Sequence, residues 1–249
     1  MERCVPSKAQ LRQDRCVAAK GWLERYCRGQ REQVWHELRQ CGDTVRSEDL
    51  ATEAQAVCDE MARRARHNVE VLVGRLRSQG YVFHTKDDAC RPVIPHHLPS
   101  AEAPALDAWL QDRFGPVPMV VSSWIRIVGD VWLVGTHPSW PESQDADPVV
   151  IELEGARYPD MSIRDHFEGE YEAWREWSGE NEDAEGFVLP VAPDRLHKAN
   201  VSGDDPYGIR LPDGTAEGLF VGEAAMPFVA YLNLVFRQGG FPAAVPGDR

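Results

Sequence analysis

The chain has 249 residues, a formal net charge of −13 and 43% apolar residues, with eight Trp and eight Phe. That composition suits a folded protein with a sizeable core and excludes a disordered one. No apolar run approaches the roughly 20 residues that span a bilayer, and the opening MERCVPSKAQ lacks the apolar segment of a secretory signal, so no membrane partner and a cytoplasmic location are expected.

Charge is uneven along the chain. Residues 1–80 carry a net +3, which leaves −16 for residues 81–249. The stretch 142–185 holds 15 acids against three arginines. Such a surface repels nucleic acid and attracts a basic protein. Cys4, Cys16, Cys27, Cys41, Cys58 and Cys90 are irregularly spaced, with no C-x-x-C pair. Free thiols in a reducing compartment are therefore expected, not a disulfide or zinc framework. There is no H-E-x-x-H, and His96-His97, a loop pair beside prolines, is no ligand set by itself. No metal or cofactor is expected.

In chain order, residues 7–40 read as one or two helices, with Ser7 a candidate cap and Gly21 and Gly29 as weak points. A longer helix is predicted from Ser47 to Ser78. Leu50, Ala54, Val57, Met61, Ala65, Asn68, Leu72 and Leu76 recur three or four apart as one stripe, and Gly80 suits its end. Tyr81 to Phe83 reads as a strand. Pro92, Pro95, Pro99 and Pro104 forbid a long helix or central strand, so 85–104 is expected to be a linker. The predicted organisation is thus a helical region at 1–84, the linker, and an α+β domain at 105–249.

Within that domain, 101–114 reads as a helix with Leu106, Trp109, Leu110 and Phe114 inward. Residues 118–129 pose a conflict. Val120, Val121, Ile125, Ile127 and Val128 favour a strand by propensity, yet Val121, Trp124, Ile125 and Val128 share a helical face between Pro118 and Gly129. The pattern predicts helix, with Trp124 buried. Strands follow at Val131–Val134 and, after Asp147-Pro148, at Val149–Leu153. An acidic helix is predicted over 161–178, with Ile163, Phe167, Tyr171, Trp174 and Trp177 as its apolar stripe. Glu168, Glu170, Glu172 and Glu176 face out, and Glu180, Glu182 and Asp183 continue the acidity into the next loop. Glu168, Glu172 and Glu176 should project together with no base between them, a slightly destabilising arrangement that suits a docking face for a basic partner. Met226 to Gln238 reads as the most buried helix.

The densest local pattern is 186–213. Phe187 to Val191 reads as a strand that Pro193 stops, and Asp194 as the cap of a short helix from Arg195 to Asn200. Tyr207, Ile209 and Leu211 alternate as a strand, and Leu219 to Val221 returns beside it after Asp213-Gly214. Two readings of Asp194, His197, Lys198 and Asn200 stand side by side. In one, His197 is a general base oriented by Asp194, as in a hydrolase, with Lys198 beside them. In the other, Asp194 is a cap, His197 a satisfied polar residue and Lys198 a charge near the helix C-terminus. No G-x-S-x-G or nearby Cys supplies a nucleophile.

The order of these elements from residue 101, together with APDRLHKANVSG, YGIRLPDG and QGGFP, resembles bacterial proteins of the SUKH superfamily. The resemblance covers about residues 100–242. It implies an α+β fold, a mixed or antiparallel sheet backed by helices. It also implies a protein-binding role, that of an immunity protein neutralising a toxin, without a catalytic set, and the acidic stretch suits a basic toxin. The N-terminal helices lie outside the usual minimal domain. A scaffolding role, with dimerisation through 47–79, is the remaining alternative.

Overall fold

The structure is a computed structural model that describes residues 21–85, 87–158, 160–181 and 185–242. Ser7, Cys4, Cys16, Glu182 and Asp183 lie outside the described residues. The architecture is α+β. Of the one or two helices expected over 7–40, the described part forms two, α1 (Trp22–Cys27) and α2 (Arg31–Cys41), separated at the weak point Gly29 and followed by a 3-10 turn at Gly42–Arg46 and the long α3 (Ala51–Ser78). The α3 stripe is buried as its spacing implies, with one exception. Asn68 is exposed and Val69 takes the inward position.

This helical region is fastened to the remainder of the chain. The α3 helix lies along α5 (Met119–Ile127). Asp59 Oδ1 on α3 accepts from Ser123 Oγ of α5 at 2.7 Å, and Gln55 Nε2 reaches the same hydroxyl at 2.7 Å. Arg39 of α2 pairs with the buried Glu217 at 2.8 Å. Glu217 also takes the backbone N–H groups of Val229 and Ala230, which open the last helix, so one carboxylate ties α2 to a helix start that would otherwise leave orphan donors. Side chains from 22–84 and from 103–235 form one hydrophobic cluster. The stretch 85–104 contributes β2 (His96–His97), a strand within that body.

The strands form three small antiparallel sheets. β1 (Val82–Phe83) pairs with β4 (Gly135–Thr136). β2 and β5 (Val150–Ile151) flank β3 (Asp130–Trp132). Of the strand expected over 131–134, Val131 and Trp132 lie in β3, Leu133 and Val134 form no strand, and β4 follows in another sheet. The third sheet runs β6 (Val188–Ala192), β7 (Tyr207–Arg210), β8 (Leu219–Val221) and β9 (Met226–Pro227). A bond from Glu152 N to Val191 O at 2.8 Å connects the second sheet to the third.

The conflict at 118–129 resolves to helix. Pro118 and Gly129 bound α5, and the first amides of the helix find the carbonyls of Thr215 and Ala216. Trp124 is fully buried, its indole N–H donates to Gly129 O at 2.9 Å, and its ring meets Phe228 edge-on. Gly129 has φ +85, and a side chain there would run into the His97 carbonyl, so this exit requires glycine. The remaining helices are α4 (Ala103–Phe114), α6 (Ile163–Gly179), the one-turn α7 (Arg195–Lys198) and α8 (Phe228–Arg237). Among the described residues no helix is long and apolar enough to cross a membrane.

The expectation of free thiols fails at Cys41, which is disulfide-bonded. Cys27, Cys58 and Cys90 are free. Spacing along the chain is silent on this, because a disulfide depends on which Cα atoms the fold brings within about 7 Å.

Candidate functional site

Two groups of residues carry the chemistry: the acidic helix α6 and the turn around α7. Tyr171 and Trp174 turn α6 inward onto Phe114 and Phe187, an aromatic cluster with ring centroids 5.0 to 5.8 Å apart, and Phe167 is fully buried. Trp177 was expected on that stripe. It is 55% exposed instead, standing about 80° around the helix from Phe167 and about 120° from Tyr171, past the edge of the packed face.

The glutamates do not stand alone. Arg113, from the end of α4, reaches between two of them. Its Nε meets both oxygens of Glu168 at 2.7 and 2.8 Å, and its Nη2 meets Glu172 Oε1 at 3.0 Å. Arg175 also pairs with Glu172. The guanidinium lies 4.6 Å from the centre of the Tyr171 ring. It holds the Glu168 carboxyl below the usual carboxylate range. The expected run of Glu168, Glu172 and Glu176 without a base between them is thus corrected, since the base arrives from another helix. Glu170 approaches His166 at 4.0 Å. Glu176 and Glu180 are exposed, with no ion-pair partner among the described residues.

At α7 the cap is as predicted. Asp194 Oδ1 accepts from the amides of Leu196 at 2.7 Å and His197 at 3.2 Å, and Oδ2 accepts from the His197 ring nitrogen Nδ1. Burial alone raises the Asp194 carboxyl, but the His197 ring and the two amides outweigh it and hold the group below its ordinary value. Gly203 makes room for this carboxylate, because a Cβ at that position would collide with it. The His197 side chain is half exposed, and its ring has no further hydrogen-bond partner among the described residues. Asn200 turns away to Asp88 at 3.1 Å.

Lys198 corrects the surface-charge reading. Its side chain is fully buried, with Nζ 2.5 Å from Asp147 Oδ1 and 4.6 Å from the centre of the Tyr207 ring. Desolvation lowers its pKa, and the Asp147 carboxylate opposes that shift. The Tyr207 hydroxyl donates toward Glu223 Oε1 at 3.1 Å and lies 3.4 Å from Asp147 Oδ2. Burial, together with these two carboxylates, raises the Tyr207 hydroxyl far above its usual value. The structure therefore brings together Asp147, Lys198, Tyr207 and Glu223. Of these the sequence reading singled out only Lys198 as a site residue. The one cue to Asp147 was its place before Pro148, which reads as a strand entry. Among the described residues no group of three His, Cys, Asp or Glu side chains is placed to hold a metal ion.

No family model matches the chain, and neither a curated protein nor a solved structure matches it. The molecule is an α+β protein with an acidic, aromatic-bearing helix on its surface and a buried lysine–carboxylate pair that joins α7 to Asp147.

Proposed function

We propose that the chain is a protein-binding module, an immunity protein of the SUKH type that neutralises a basic toxin through the outer side of α6. The observation that carries this reading is Trp177, 55% exposed on a helix whose span 163–180 holds six carboxylates against two arginines. Trp is enriched among the few residues that dominate interface energetics, and a buried aromatic anchor inside a charged rim is the usual anatomy of such a patch. Complementary charge mainly speeds encounter, so Glu170, Glu176 and Glu180 would steer while Trp177 would hold. Glu168 and Glu172 belong to the frame, because Arg113 already occupies them.

A cytoplasmic immunity protein meets its toxin after entry, and this reading places the chain there. The Cys41 disulfide favours the opposite, an oxidising compartment. Thiol titration of protein taken from the host, with and without reductant, separates the two.

The test of the main reading begins with capture of the partner from the native host. Association is then measured for the wild type, for a Glu170, Glu176 and Glu180 to Gln variant, and for Trp177→Ala. The triple variant should associate several-fold more slowly, with the gap closing at high salt. Trp177→Ala should raise the dissociation rate by at least about tenfold, equivalent to about 1.4 kcal/mol. Unchanged kinetics in both would remove α6 as the docking face.

A further inference from the structure

A cleft of about 800 Å³ opens beside the buried lysine. Its walls come from four places: Trp140 to Asp147, the β7–β8 face with Tyr207, Phe220 and Glu223, the α8 side chains Tyr231, Leu234 and Gln238, and Phe241-Pro242 at the chain's return. That volume lies within the range of small-ligand sites, roughly 300–1,000 Å³. The floor is aromatic. Phe220 and Tyr231 stack with centroids 3.9 Å apart, and Trp140 meets Phe241 edge-on at 5.1 Å.

The polar groups around this floor are unbalanced. Glu142, Asp145, Asp147 and Glu223 line the cleft, and Arg195 is the cation among the lining residues. Lys198 neutralises Asp147 from the buried side, which leaves three carboxylates facing one guanidinium. Tyr231 is 4% exposed and lines the cleft with its ring; its hydroxyl is enclosed beside Asp147 and Tyr207 and has no hydrogen-bond partner among the described residues.

We propose that this cleft binds a guanidinium or ammonium group carried on an apolar stem, with the Glu223 carboxylate on the cation and the Phe220, Tyr231 and Trp140 rings along the stem. Two properties of the wall favour a cation over a neutral guest. The carboxylates supply charge-assisted acceptors, and the ring faces attract a cation within about 6 Å of their centres. The chain already uses this chemistry once, since Lys198 lies on Asp147 and over the Tyr207 ring from the other side. No residue of α6 takes part, so the cleft and the toxin-docking reading stand or fall separately.

The experiment titrates the full chain with N-acetyl-arginine methylamide, agmatine and N-acetyl-norleucine methylamide. Binding is followed by calorimetry and by the Trp140 indole N–H resonance, assigned through Trp140→Phe. The first two probes should bind saturably and move that resonance, and the uncharged norleucine probe should bind at least tenfold more weakly. If the capped amino acid binds better than agmatine, the natural source is a protein side chain; the reverse order points to a small amine. Glu223→Gln, at an exposed position, should weaken the cationic probes several-fold while leaving the unfolding midpoint unchanged. Equal affinity for the norleucine probe, no saturable binding of either cation, or wild-type affinity in Glu223→Gln would overturn the proposal.

Discussion

Asp147→Asn tests the energetics of the buried pair directly. The substitution keeps the shape of the side chain and removes its charge, leaving the Lys198 ammonium fully buried with an amide oxygen and the Tyr207 ring as company. An ion stranded in this way costs about 3–5 kcal/mol. The lysine has an escape, which is to lose its proton. From an ordinary pKa of about 10.4, holding it neutral at pH 7 costs about 4.6 kcal/mol, a ceiling on the charge penalty. The sign of the pH dependence follows. In the variant the unfolded chain binds a proton on Lys198 and the folded chain does not, so stability rises with pH by about 1.4 kcal/mol per unit through this residue. In the wild type the Asp147 carboxylate holds the proton on Lys198, so this lysine is protonated in the folded and unfolded states alike near neutrality. Urea unfolding of both proteins between about pH 6 and 9 should therefore show a gap that narrows as pH rises. Lys198→Met should cost less, about 1–3 kcal/mol, since the Asp147 side chain is 11% exposed and water can reach it. A gap below about 1 kcal/mol, or one that stays constant with pH, would refute this account of Lys198.

Two further outcomes are expected. Trp124→Ala empties a fully buried site against Phe228 and removes the bond to Gly129 O, and should destabilise by about 3–5 kcal/mol in chemical unfolding. Asp194→Ala should cost about 0.5–2 kcal/mol through the lost cap. Because the folded Asp194 carboxyl is held below its ordinary value, its contribution is present above about pH 3.9 and fades as pH falls through the folded pKa. Thermal unfolding of wild type and variant should converge in that acidic range, and a gap that persists there would show that the carboxylate is not its source.

Helix faces and caps were legible because they are local. The stripe of α3, the helix at 119–127 and the Asp194 cap each follow from residues within a few turns of one another, where backbone periodicity alone sets which side chains share a face. Trp177 shows the limit of that reading: one extra apolar residue near the stripe carried no sign of whether anything waited to cover it. What only the tertiary structure decided are the pairings across elements. Arg113 meets Glu168 over 55 positions, Lys198 meets Asp147 over 51, and Arg39 meets Glu217 over 178. A charged side chain near a helix end faces water or a partner according to how that helix docks, and docking is settled by the summed packing of the whole core. For the same reason Tyr231, one apolar-looking position in FVAYLNLVF, gave no hint in the sequence of a hydroxyl enclosed beside an acidic cleft.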